Sequence, residues 1–180
     1  MLVDTLSLIW LFPVAFMLHD FEEVVLWEAW MAKNGPELKR RVPAVLAAQV
    51  DGFISKSTAQ VSVGVCLIFM VTVLASFLAA QFREFGVFLL TGGMFFVHGF
   101  GHVGQVIVFK RYVPGVITSV LLVIPYGFIM FTRLTSEGIV GLPSLLGYLV
   151  LGAVVVAPFI LLMHLAADYL YPRLVRRLVR

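Results

Sequence analysis

A single cysteine, Cys66, is all the thiol this sequence carries. That excludes a disulfide framework and any C-x-x-C redox or zinc pair. Its place in an apolar run makes Cys66 a small core residue by expectation. Charge is scarce too: Asp, Glu, Lys and Arg make up 13% of the 180 residues, about half the share of an ordinary soluble domain. So few charges cannot cover a soluble surface. The net charge of +3 is therefore no footprint for nucleic acid, because in so apolar a chain basic residues first report orientation across a membrane. Strand-type alternation is missing, and so is any internal repeat. The first apolar run has no basic segment before it, and carboxylates stand where a small-residue cleavage site would be, which speaks against a cleaved signal peptide.

What the sequence has in quantity is hydrophobic length. It is 61% hydrophobic with a mean hydropathy of +1.03, and several apolar runs reach the ~18 residues that mark a membrane span. The expected fold class is all-α, a single polytopic membrane helix bundle over residues 1–180. Five transmembrane helices are expected, at about Leu6–Trp27, Thr58–Ala80, Phe85–Phe109, Pro114–Phe131 and Leu142–Leu165. The polar connection after the first is punctuated by Pro36 and Pro43, and from Val42 onward it suits an amphipathic helix on the membrane surface. The end, "YPRLVRRLVR", is either a basic amphipathic tail for an anionic leaflet or a frayed helix end. Basic residues are lopsided: Lys33, Lys39, Arg40, Arg41, Lys56, Lys110, Arg111, Arg173, Arg176, Arg177 and Arg180 fall on one side, and only Arg83 and Arg133 on the other. With five spans, this bias puts the N-terminus outside and the C-terminus in the cytoplasm.

That topology makes the polar residues converge. The first, third and fifth helices descend toward the cytoplasm, and all four histidines, His19, His98, His102 and His164, fall in their cytoplasmic halves. His19, Glu22 and Glu23 sit at i, i+3 and i+4 and share a helical face, whereas Asp20 points elsewhere, to the headgroups or a neighbouring helix. His98, His102 and Gln105 form a second stripe at i, i+4 and i+7. A carboxylate-rich stripe facing an imidazole-rich one is what a Zn, Fe or Mn site needs, with His19, Glu22, Glu23, His98 and His102 as candidate ligands. Asp168 or Asp20 could orient a ligating histidine, with Gln105 and His164 in support. A carboxylate deep in the bilayer costs about 2.5–3.5 kcal/mol on insertion scales, so such residues are retained for a function. The structural alternative is an interhelical lock of hydrogen bonds worth about 0.6 kcal/mol each; the number of polar groups exceeds what a lock needs. Asp168 by itself reads as an interfacial residue. "GFGHVG", Gly99 to Gly104, matches a dinucleotide fingerprint only literally, because it lies within an apolar helix with no strand before it. Its glycines read as close-packing positions. "HDFEE" is also a weak inverted-zincin match, with Glu23 where histidine is required.

Three motifs in order, "HDFEE", "HVGQ" and "RYVPG", resemble the HXXEE-domain family of small bacterial membrane proteins. The resemblance runs from about Leu11 to Pro125. It matches His19, Glu22 and Glu23, then His102 and Gln105, then Tyr112, Pro114 and Gly115. At His98 the family pattern has asparagine, so His98 is either a ligand or a hydrogen-bonding partner. The resemblance implies a multi-pass protein of the bacterial cytoplasmic (inner) membrane and names no reaction. Pro114 is expected in the first turn of the fourth helix, where its missing N–H is harmless. Tyr112 is expected at the interface, as an anchor or as a donor over the site. Pro125 is expected to kink that helix, letting Tyr126 reach the bundle interior.

The functional expectation is a membrane-embedded, metal-dependent enzyme acting on a lipid or other apolar substrate from the cytoplasmic leaflet. Glu22 or Glu23 would be the general base and Tyr112 an auxiliary catalytic group. Zn would imply hydrolysis and Fe oxidation. Two alternatives stand: metal-free carboxylate and imidazole chemistry on a lipid, or a non-enzymatic ion transporter or accessory subunit. Transport is disfavoured by the missing repeat and by outer helix halves that look apolar.

Overall fold

Helix starts and stops are written locally in the chain. Ser57 caps one helix with a reciprocal pair: its hydroxyl accepts from the Gln60 N–H at 3.3 Å, and Gln60 Oε1 accepts from the Ser57 N–H at 3.0 Å. Arg83 and Lys110 end two helices in the left-handed region, at φ 58° and 54°. The computed structural model describes residues 4–41, 43 and 47–178 and is helical throughout. In order come α1 (Thr5–Arg41), α2 (Ala47–Ile54), α3 (Thr58–Phe82), α4 (Phe85–Phe109), α5 (Val116–Thr118), a π-helical segment (Ser119–Val123), α6 (Ile124–Ser136) and α7 (Leu142–Leu178). Among the described residues, four helical stretches are long and apolar enough to cross a membrane: Thr58–Phe82, Phe85–Phe109, Val116–Ser136 and Leu142–Leu178. The outward sides of the last three carry Ile107, Leu121 and Val154, and that of α1 carries Val25, each at least two-thirds exposed. An apolar exterior of this extent is a surface for lipid rather than water.

The bundle packs α1 on α3, α4 on α7, and α3 against both α4 and α7. Gly152 lets α7 meet α4 backbone to backbone: a Cβ there would lie 2.9 Å from the Met94 nitrogen. One half of the interior is aromatic. Phe12 is fully buried, edge-on to Phe88 at 5.5 Å between centroids and stacked with Tyr126 at 6.3 Å. Pro13 has no N–H for the Ile9 carbonyl one turn back, and Ser76 Oγ donates to that carbonyl at 2.9 Å instead. His19 follows Phe12 by seven residues, so the polar site lies about 10 Å further along α1.

Several boundaries differ from expectation. α1 does not stop at Trp27 but runs on to Arg41 with Pro36 inside it, because its last turns are held by ion pairs to other segments. Glu37 bridges Arg41 at 2.5 Å and Arg111 at 2.8 Å. In the segment expected from Val42 to form a surface helix, a helix is observed as α2 (Ala47–Ile54), Val42 itself lying outside the described residues. Pro114 is not in a first helical turn: it lies in a turn ahead of the N-cap Gly115, and the helix starts at Val116. Pro125 is accommodated by the π-helical segment just before it, a wider turn that tolerates the missing donor. The Tyr126 hydroxyl reaches inward and donates to the Leu8 carbonyl at 2.8 Å. α7 continues to Leu178, so the basic tail is helical that far, with Arg180 outside the described residues. Cys66 is exposed on the outer side of α3, not in the core. In a membrane bundle the apolar side faces outward, so an apolar run does not mark the interior.

Candidate metal centre

Two helices build the site. α1 supplies His19 and, one turn on, Glu23; α4 supplies His98 and, one turn on, His102. Glu23 Oε1 lies 3.1 Å from His19 Nε2, 3.2 Å from His98 Nε2 and 2.7 Å from His102 Nε2. The His98 and His102 Nε2 atoms are 2.8 Å apart. All four donor atoms lie within 4.8 Å of one another. His19 is fully buried and His102 nearly so.

Proton placement follows from the neighbours. The Thr118 hydroxyl donates to Glu22 Oε2 at 2.6 Å, so at 2.9 Å it accepts from His19 Nδ1–H. In the neutral ring His19 Nε2 is then the lone-pair nitrogen, buried and facing Glu23 Oε1 at 3.1 Å. At most one proton can lie between the paired nitrogens of His98 and His102. Lone pairs converging in a buried place are costly unless a proton or a metal cation lies between them. The spacing suits one: zinc–nitrogen bonds of 2.0–2.1 Å in a tetrahedron put ligand atoms about 3.3 Å apart. The cluster of His19, Glu23, His98 and His102 could therefore hold a divalent metal. Imidazole with one carboxylate suits Zn, Fe or Mn alike.

A sequence model for a family described as a protein of unknown function with an HXXEE motif matches residues 10–130. The chain belongs to the HXXEE family. A search of curated proteins and a search of solved structures find no match. The motif's own residues, His19, Glu22 and Glu23, open the matched segment.

The two glutamates of the HXXEE motif do different things. Glu23 faces α4. Glu22 does not join the cluster: it accepts from Tyr112 Oη at 2.5 Å, Thr118 Oγ1 at 2.6 Å, and the backbone N–H groups of Thr118 at 2.8 Å and Ile117 at 3.3 Å. Adjacent helical residues diverge by about 100°, so one face could not hold both. Glu22 thus anchors the start of α5 and, through Thr118, holds the ring of His19. Carboxylates that act on a ligating histidine in this way are a regular part of metal sites. Burial, then the bond it donates to Glu22, push the Tyr112 phenol well above its usual range, so it stays protonated as a donor. Gly115 closes the site from the side: at φ 90° it favours glycine, and a Cβ there would lie 2.8 Å from both Glu23 Oε1 and His102 Cε1.

The remaining candidates lie apart. Gln105 is exposed toward a neighbouring cavity. His164 packs edge-on to Phe53 at 4.9 Å, with its Nδ1 pressed against Gly64 and unpartnered. Asp168 pairs with Lys56 and orients no histidine of the cluster. Asp20 does not reach the headgroups; it is buried between helices, with Oδ2 unpartnered. Sequence reasoning missed Thr118, because a lone threonine in an apolar run carries no signal. It also set Asp20 aside, although Phe16, Asp20, Glu23 and Trp27 form an i, i+4, i+7, i+11 stripe of their own.

Two cavities flank the cluster. The larger, about 660 Å³, is lined by Glu23, His98 and His102 together with Trp30, Val97, Phe109 and other apolar groups. That is within the roughly 300–1,000 Å³ usual for small-molecule sites. The smaller, about 80 Å³, shares Glu23, Trp27, His98, Val156, Ile160 and His164 with it and is walled by α3 on its far side.

Proposed function

We propose that this HXXEE protein is a metal-dependent enzyme embedded in the membrane, acting on a lipid or other apolar substrate. The observation that carries the reading is the convergence of three imidazole nitrogens and one carboxylate oxygen, with Glu23, His98 and His102 of that cluster lining an apolar cavity. His19, His98 and His102 would hold the metal, and Glu23 would be the fourth ligand or the base. A bound divalent ion would supply Lewis-acid chemistry, with redox chemistry added if it is iron. Thr118 and Glu22 fix the tautomer of His19, and Tyr112 Oη keeps a proton on the Glu22 side. The apolar cavity receives the substrate chain. α1 would be a fifth span, with the N-terminus outside; the support is the basic bias of the cytoplasmic loops. The site then opens toward the cytoplasmic leaflet of a bacterial inner membrane.

The test is lipid turnover. Purified protein in nanodiscs is incubated with a bacterial lipid extract, and products are followed by mass spectrometry. A new product that is absent in Glu23→Gln and suppressed by chelator is expected. Activity that persists in strong chelator would instead assign metal-free acid–base chemistry to the 2.7 Å Glu23–His102 pair. No product, or a product equally present in Glu23→Gln, would contradict the proposal.

A further inference from the structure

Asp20 is a buried carboxylate of α1 that the metal centre leaves unexplained. It is 7% exposed, its Oδ2 has no hydrogen-bond partner among the described residues, and its side chain lines the smaller cavity. An unpaired carboxylate in an apolar interior is costly enough that it needs a partner. The hydroxyl and indole groups around this slot offer it none, and the two imidazoles that also line it, His98 and His164, make no hydrogen bond to it. Thr72 and Thr91 give their hydroxyl protons to the Phe69 and Val87 carbonyls at 2.8 Å, and the Trp27 indole donates to the Lys56 carbonyl at 3.0 Å. An anion entering the slot would meet the carboxylates of Asp20 and Glu23, with no free hydroxyl or indole donor and only the imidazoles of His98 and His164 to set against them. A group that brings its own donor would satisfy Asp20.

Size divides the work between the cavities. The slot has room for roughly five waters at about 15 Å³ each, so it accepts a small polar end and not a chain. The larger cavity beside it, walled by Trp30, Leu38, Phe109 and Leu161, has room for a chain. Glu23 and His98 stand in the wall common to both. We infer that the site takes a non-anionic amphiphile whose hydroxyl or ammonium end is received by Asp20, with its chain in the larger cavity and its bonds near the polar end beside Glu23 and His98. The binding stands on the slot and Asp20; that the bound molecule is also the substrate rests on the proposed enzyme function.

Photolabelling in nanodiscs tests this. The probes are twelve-carbon chains with a mid-chain diazirine, ending in a hydroxyl, an ammonium, a carboxylate or a methyl group. Labelled peptides are mapped by mass spectrometry, and bound metal is measured in the same samples. In the wild type, the alcohol and amine should label the large-cavity walls at least about tenfold more than the carboxylate or the alkane, the scale of one hydrogen bond to a charged group. Asp20→Leu should reduce alcohol and amine labelling to the alkane level. Asp20→Asn, which keeps the volume, should lose the preference for the amine and admit the carboxylate. Val65→Phe, which fills the slot, should lose the selectivity with Asp20 in place. Equal labelling by all four probes, or unchanged selectivity in Asp20→Asn or Val65→Phe, overturns the inference. A metal-free protein that keeps the selectivity would sink the metalloenzyme and leave this binding site. A metal-loaded protein without selectivity would do the reverse.

Discussion

Thr118→Val removes one hydroxyl and leaves the branched shape almost unchanged. In the native protein that hydroxyl lies 2.9 Å from His19 Nδ1 and 2.6 Å from Glu22 Oε2. Without it, the buried His19 N–H has no acceptor, and Nε2 is no longer fixed as the free lone pair that faces Glu23. Glu22 keeps its bonds from Tyr112 and the two backbone amides, so α5 should stay seated. Loss of an outer partner of a ligating histidine typically weakens metal binding about 10–100-fold, or about 1.4–2.7 kcal/mol. Thr118→Ser retains the hydroxyl and should bind within about threefold of the wild type, because the same two hydrogen bonds are available. The assay is competition between detergent-solubilised protein and a chromophoric chelator for zinc, with thermal unfolding followed in parallel. A merely structural role would lower the unfolding temperature of Thr118→Val and leave the zinc affinity of the folded protein untouched. Equal affinities for the wild type, Thr118→Val and Thr118→Ser would refute the relay from Glu22 through Thr118 to His19.

Other perturbations read different links in the same chain. Gly115→Ala puts a Cβ 2.8 Å from Glu23 Oε1 at a φ of 90°, and the backbone strain alone costs about 1–3 kcal/mol; zinc affinity and thermal stability should fall together, and a variant with native values of both would show that the turn gives way freely. Gly152→Ala forces a Cβ to 2.9 Å from the Met94 nitrogen, where backbone cannot rotate aside. Overpacking of this kind costs about 1–3 kcal/mol, read as a lower unfolding temperature in detergent, with metal affinity in the folded protein preserved. Desolvation alone would raise the Glu37 carboxyl, but the hydrogen bond from Arg41 and the charge of Arg111 hold it below its ordinary value of 4.5. Its folded-state pKa is depressed, so the stability it contributes is complete above about pH 4.5 and is lost as pH falls through the lowered value. Arg111→Met should flatten that acid limb of the unfolding profile, and an identical limb in both proteins would count against the clamp.

Much of the site was legible because helical periodicity is strict. His19 with Glu23, and His98 with His102, are each one turn apart, and each pair points one way whatever the surrounding packing. The same rule overreached at Glu22, since i+3 and i+4 straddle a face and the packing decides which side each takes. The hydroxyl of Thr118 and the amide of Ile117 drew Glu22 away, and neither is visible from the motif. The α1 extension to Arg41 was hidden because Pro36 reads as a breaker. Tertiary ion pairs to Arg111 and the Lys39–Asp51 pair at 2.6 Å hold the helix together past it. Cys66 was misplaced by a soluble-protein habit, taking an apolar neighbourhood for the interior. Asp20 needed the third dimension: only the packing of α3 against α1, with α7 seated on α3 and α4, turns a lone carboxylate into the end of a slot.

The central claim is that His19, Glu23, His98 and His102 hold a divalent metal. Inductively coupled plasma mass spectrometry of purified protein, prepared without added metal or chelator and again after loading with Zn, Fe or Mn, measures this directly. The account predicts close to one metal ion per chain in the wild type, retained through desalting and lost in His102→Ala while the helical signal persists. A wild-type protein that binds none of the three under any preparation, or a His102→Ala protein that binds as much as the wild type, would contradict it.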